Sequence, residues 1–180
     1  MPENASQLNW LHMKAPAKLS DLIDALEFES EEYLSRFDRQ NGRIVAVDRA
    51  VMSALEEGDE HGLAGLPEWQ QEEVKIGREV LEDGDERFID PPDRFDFHEY
   101  QHMERFIQSL PDESMADQLW RAIKGKGAFR YFKDTLHRLG IEKRWYAYRF
   151  DAMKEFVVNW AEDNGVAYID DTAEIRKQWL

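Results

Sequence analysis

The sequence contains no cysteine. That excludes disulfides, thiolate nucleophiles and cysteine-ligated zinc or iron–sulfur centres in one step. It also fits a cytoplasmic chain. There is no apolar run of the roughly 18 residues that would mark a membrane span, so no membrane association is expected. Residues 1–17 hold no apolar stretch of signal-peptide length, and Glu3 precedes the first lysine, Lys14, the reverse of a basic leader. No internal repeat or low-complexity tract is present. What is abundant is charge and aromatic surface: 34% charged residues, 12% aromatics and 42% hydrophobics in 180 residues. Disordered chains are poor in aromatics, so this chain is expected to fold. Its length suits one domain, with roughly 70% of the unfolded surface buried.

Leu19, Leu22, Ile23 and Leu26 repeat at helical spacing and predict a short helix over 19–28. Residues 33–47 predict a β-hairpin turned at Asn41-Gly42, two residues that tolerate positive φ. Asp48 is suited to cap a helix running to about Glu57, followed by a loop bearing Gly62 and Gly65. A helix over 67–82 with Gly77 in its interior precedes a short strand at 87–89, stopped by Pro91-Pro92. From Phe95 onward Tyr100, Met103, Phe106, Ile107 and Leu110 share a helix face, and Met115, Leu119 and Ile123 mark a second helix. Phe129, Phe132, Leu136 and Leu139 mark a third, ended by Gly140. Trp145 to Tyr148 reads as a short strand or extended link before a fourth helix around Met153–Trp160, with a terminal strand at 166–169. The expected architecture is α+β: a small antiparallel sheet or hairpin with several packed α-helices. Residues 1–17 form a loose leader, with Trp10 and Leu11 against the body. Residues 18–169 form one domain with a sub-boundary near 91–95, and 170–180 form a tail or short helix.

Net charge is −15. A field of that sign disfavours non-specific attraction to nucleic acid or anionic membrane. The charge is unevenly divided, however: net −18 over residues 1–118, +7 over 119–149 and −4 over 150–180. The basic residues are Arg121, Lys124, Lys126, Arg130, Lys133, Arg138, Lys143, Arg144 and Arg149. Lys124, Gly125, Lys126 and Gly127 precede a helix start, where backbone N–H groups can hold an anion. With Arg130 and Lys133 they are the candidate ligand-binding residues. The suitable ligands are an acidic protein partner or a phosphate-bearing molecule. A P-loop is excluded, because no Gly-Lys-Ser/Thr follows a long glycine loop. Two structural uses compete with binding: i,i+4 pairing of Asp134 with Arg130 and Arg138, and neutralisation of the protein's own acidic part. Phe129 and Phe132 are expected in the core, whereas Tyr131 is available for stacking, as in single-strand nucleic-acid binding.

His98-Glu99-Tyr100-Gln101-His102 is an H-E-x-x-H string. On one helix it would present two zinc ligands and a water-polarising carboxylate. It therefore supports an alternative, a zinc-dependent hydrolase using His98, Glu99 and His102. Asp83, Asp85 and Glu86 lack EF-hand spacing. No nucleophile elbow and no dinucleotide glycine pattern occur, and no cofactor is expected.

The sequence resembles the UPF0158 family of uncharacterised bacterial proteins. The likeness lies in Leu19 to Glu27, the Asn41-Gly42 turn, Met103 to Ile107, Gly125 to Asp134 and Trp145 to Arg149, spanning roughly residues 19–165. The resemblance implies a coherent folded unit and assigns no role to any residue. The expectation is a cytoplasmic binding or regulatory protein, rather than an enzyme, offering a basic helical face to an anionic partner.

Overall fold

Asp38 is nearly inaccessible, yet it is charged and organises the sheet. It ends strand β2 (Tyr33–Asp38), and its carboxylate accepts from the Gln40 and Asn41 backbone N–H groups and from the Asn41 side chain. Arg87 binds the same carboxylate through two nitrogens at 2.9 and 2.8 Å and reaches Glu79 at 2.8 Å. Burial pushes the Asp38 pKa up, but the hydrogen bonds from Arg87 and Asn41 outweigh it and leave the group below the ordinary carboxylate range. Asp38 and Arg87 together therefore join the hairpin turn, the segment entering the neighbouring strand and the helix bearing Glu79.

The structure, a computed structural model, describes residues 15–28, 30–84 and 86–179. The expected placement of Trp10 and Leu11 lies outside these residues, as does Asp85 of the turn cluster. Strand β1 (Ala17–Lys18) leads into helix α1 (Leu19–Glu27), whose four leucine and isoleucine side chains at helical spacing are all buried. Strands β2 (Tyr33–Asp38) and β3 (Arg43–Asp48) form the hairpin, with Phe37 opposite Ile44. Helices α2 (Arg49–Glu57), α3 (Glu60–Ala64) and α4 (Glu68–Asp83) follow. Asp48 caps α2 by accepting from Ala50 N–H at 2.7 Å. Strand β4 (Phe88–Ile89) pairs antiparallel with β2, giving the order β3-β2-β4. The remaining elements are α5 (Arg94–Phe97), α6 (Glu99–Gln108), α7 (Glu113–Ala122), α8 (Ala128–Leu139), α9 (Glu142–Asp163), β5 (Tyr168–Ile169) and α10 (Ala173–Lys177). The fold is α+β, as the patterning predicts.

Three expectations need correction. The loop bearing Gly62 and Gly65 contains helix α3, because Asp59 caps it by accepting from Gly62 N–H. The extended link at 145–148 is helical and belongs to the 22-residue α9. Ala17 is no part of a loose leader: it is buried, and β1 pairs in parallel with β5. The small sheets are accordingly both antiparallel and parallel. Phe97 shares one apolar cluster with Leu19, Leu22, Phe37 and Phe150.

Three clusters form the interior. The first gathers α1, Phe37, Phe97 and the middle of α9. The second gathers α6, α7, α8 and Trp145 of α9. The third holds β3, α2, α3 and α4. Helix α9, about 33 Å long at 1.5 Å per residue, runs through the first two. No helix among the described residues is long and apolar enough to cross a membrane.

Gly42 closes the hairpin at φ +63°, and a Cβ there would lie 2.4 Å from the Ala15 carbonyl oxygen and 2.6 Å from that of Pro16. Backbone cannot yield as a side-chain tip can. We expect Gly42→Ala to lower stability by about 2–4 kcal/mol in urea unfolding, summing left-handed strain and overpacking. Gly84→Ala, also at positive φ but with open space around it, should cost only about 1 kcal/mol. Equal losses would show that the close approach at Gly42 is not tight.

Candidate functional site

The basic segment is built from the end of α7, a four-residue loop and α8. Ile123, buried, ends α7, and its carbonyl accepts from Tyr100 Oη at 3.1 Å, which ties the loop base to α6. Gly125 and Gly127 take φ of +83° and +86°, values that disfavour any residue with a Cβ. Gly127 serves a second purpose, because the Tyr131 ring folds back over it and a Cβ there would sit 3.1 Å from the ring. Helix α8 has no side-chain cap and no acid in its first turn. Its N-terminal N–H groups and the positive end of its dipole are therefore left beside Lys126 and Arg130, a same-sign arrangement that an anion would relieve.

Arg121, Lys124, Lys126, Arg130, Lys133, Lys143 and Arg144 are exposed. None of them makes an ion pair among the described residues. The expected i,i+4 pairs of Asp134 do not form. Arg130 instead lies over the Tyr131 ring at 5.1 Å, and Arg138 donates to Gln118 Oε1 at 2.7 Å. The site residues separate along the 12-residue α8. Lys124, Lys126, Arg130 and Lys133 gather around its first half, whereas Lys143 and Arg144 start α9 at the other end, about 18 Å away along the helix.

Arg149 belongs to the interior. Its guanidinium donates to Glu99 through Nε at 2.7 Å and to Glu27 through Nη1 at 2.5 Å. The side chains of Arg149 and Glu99 are 16% and 14% exposed. Burial lowers the Arg149 pKa, and the hydrogen bonds to Glu99 and Glu27 more than reverse this.

Of the three aromatics of α8, Phe132 and Tyr131 lie as expected and Phe129 does not. Phe132 is buried and meets Trp145 edge-on at 4.9 Å. Phe129, expected in the core, is 49% exposed, because the buried face of α8 runs through Ala128, Phe132, Thr135 and Leu136 and leaves it at the edge. Tyr131 is 47% exposed, beside Arg130.

The H-E-x-x-H string is not carried by one helix. His98 sits at φ +50°, between α5 and α6, and is exposed. His102 packs face to face on Phe97 at 4.3 Å. Glu99 is engaged by Arg149. Among the described residues no group of three or more His, Asp or Glu is placed to hold a metal ion. The bend at His98 follows from the preceding short helix: His98 N–H closes α5 on the Phe95 carbonyl while its own carbonyl opens α6 by accepting from Gln101.

Compared with known protein families, residues 64–178 fit the family described as Uncharacterised protein family (UPF0158). The chain belongs to this family. No curated protein and no solved structure matches the chain. The UPF0158 match takes in α4 to α10 and so includes the whole basic segment, Glu99 and Arg149. It omits α1 and the hairpin, where the sequence resemblance also extends, and thus Glu27, one of the two carboxylates that Arg149 binds. The continuity of α9 within the UPF0158 region was readable from Trp145, Met153, Val157 and Ala161, which fall at multiples of four residues and are all buried. The alternation of Tyr146 and Tyr148 points to extended backbone instead.

His102 offers a pH test. Burial, with Arg105 nearby, holds its pKa below the ordinary histidine value. The unfolded chain therefore takes up a proton first as pH falls below about 6.5. Stability from this group is complete above that pH and is lost as pH falls toward the folded pKa. Replacing His102 with Phe should flatten the decline in unfolding free energy between about pH 6.5 and 5. An unchanged slope would remove His102 from the account.

Proposed function

We propose that the protein is a cytoplasmic binding or regulatory protein that presents the Lys124–Lys133 surface to an acidic protein partner. One observation carries this: in a chain with 38 carboxylates against 23 cations, the exposed cations of this segment make no ion pair among the described residues. Charge neutralisation within the chain would have consumed them. The acidic remainder does not cancel the attraction at contact, because charges more than about 8 Å apart are screened at physiological ionic strength. Phe129 and Tyr131 add exposed ring surface beside Arg130, suited to the apolar contacts that accompany acidic residues in a docking segment.

A fluorescein-labelled peptide of ten residues alternating Glu and Leu serves as the probe, with a single-stranded oligonucleotide of ten thymidines alongside. The peptide should bind, and Lys126→Glu with Arg130→Glu should weaken it at least tenfold in fluorescence anisotropy while the melting temperature stays within about 2 °C. Undiminished peptide binding by that variant would place the site elsewhere. Binding of the oligonucleotide in preference to the peptide, falling steeply with salt, would replace the acidic protein with a nucleic acid.

A further inference from the structure

Helix α1 borrows its cap from the other end of the chain. Lys18 stands at the cap position and supplies no side-chain acceptor. Asp171, 151 residues later, does so instead: its carboxylate accepts from the Ser20 N–H at 3.0 Å and from the Ser20 hydroxyl at 2.6 Å. Two further links tie the same segment to α9. Lys154 donates to Asp170 at 2.5 Å, and Arg176 donates to Asp151 at 2.6 and 2.8 Å. Ile175 and Trp179, four residues apart, pack against the apolar cluster of α1 and α9, with the Trp179 ring 5.1 Å from that of Tyr146.

The fit beneath these links is loose. Of residues 170–179 only Thr172 is buried. Ile175 and Trp179 roof a cavity of about 220 Å³ over Ile23, Tyr146, Phe150 and Met153 instead of filling it. A void forfeits the contacts its lining would otherwise make. Arg176 Nη1 is buried with no hydrogen-bond partner among the described residues, a cost that water would remove if the segment lifted. Asp170 and Asp151 are 47% and 55% exposed, so their ion pairs contribute little each and weaken in salt. The chain just before is anchored: Ala17 N–H donates to the Ala167 carbonyl at 2.8 Å, and β5 pairs with β1. The hinge therefore follows Ile169.

We infer that residues 170–179 form a detachable strap, which leaves and returns as one piece and keeps closed a docking groove between α1 and α9. The groove takes a short helix with two apolar anchors four residues apart, the mode of a helix laid in a groove, and the chain fills it with its own tail. Segments with few buried contacts open at lower cost than the body that carries them. Opening also strips the cap from α1, so release of the strap and loosening of the start of α1 are one event. Arg149 stays bound to Glu99 and Glu27 throughout. The strap shares no residue with the basic surface of α8, so either reading can fail alone.

The test is hydrogen exchange of the full chain followed by NMR. Amides of residues 173–179 should exchange at least about tenfold faster than those of residues 150–157 in α9, and faster again when salt is raised from about 0.05 to 1 M. Equal rates in the two segments overturn the strap. Asp151→Asn removes the Arg176 link and touches neither α1 nor Asp171. It should nonetheless speed exchange at the Ser20 N–H at least about threefold while α9 keeps its protection. A response confined to residues 173–179 is the mark of a merely frayed end and overturns release as one piece. A fluorescein-labelled peptide of residues 170–180 then probes the groove. Ile175→Ala with Trp179→Ala weakens the resident strap and leaves the groove intact. That variant should bind the peptide at least about tenfold more tightly than the unaltered chain, since the resident tail no longer competes. Equal binding to both, or none to the variant at millimolar peptide, overturns the docking groove.

Discussion

The arrangement of this protein depends on the ion triad of Arg149 with Glu99 and Glu27. Arg149 lies on α9, Glu99 opens α6 and Glu27 ends α1. Trp145, one turn earlier on α9, belongs to the cluster built by α6, α7 and α8, while Phe150 belongs to the cluster containing α1. The triad thus sits where two apolar clusters meet along one helix. Removing an arginine from water is costly, and only several well-directed charged acceptors offset it. Arg149 has a two-nitrogen contact to Glu99 and a further one to Glu27. Taking away the arginine would strand Glu99, an effect of about 3 kcal/mol at the lower end of the range for buried pairs, given its residual exposure.

That commitment separates Arg149 from the rest of the basic segment. Sequence proximity groups it with Arg144 and Lys143, but one turn of helix is enough to move a side chain from solvent to interior. Lys124 and Lys126 sit in a loop, and Arg130 and Lys133 on a helix whose one acid is Asp134, and the local structure holds them outward. Two left-handed glycines shape the loop between α7 and α8, and Tyr131 folds over the second of them. The result is a positive end of a helix flanked by further positive charge, stable because water and salt screen it and poised for a negative group.

The helices with strong apolar spacing were legible: Leu19 to Leu26, Met103 to Leu110 and Phe132 to Leu139 all lie where periodicity places them. Local capping chemistry was equally readable at Asp48 and Gly140, since it depends on residues within one turn. What failed did so because tertiary contacts decided. Tyr146 and Tyr148 alternate like a strand, yet the segment is held helical by Trp145 docking against Phe106 and Phe132. Phe129 fits an apolar stripe on paper, but the neighbours of α8 cover a face one position away. For the candidate site, the identity of the basic residues was legible and their exposure was not. The inward turn of Arg149 requires Glu27, 122 positions away.

The most direct test of this division is arginine labelling of the folded protein with phenylglyoxal, followed by peptide mass spectrometry. Arg121, Arg130 and Arg144 should react at close to the rate of the unfolded chain, and Arg149 should be protected at least tenfold until the protein unfolds. Reaction of Arg149 as fast as Arg130, or protection of Arg130 in the isolated protein, would contradict an inward structural arginine set against an outward, unpaired basic surface.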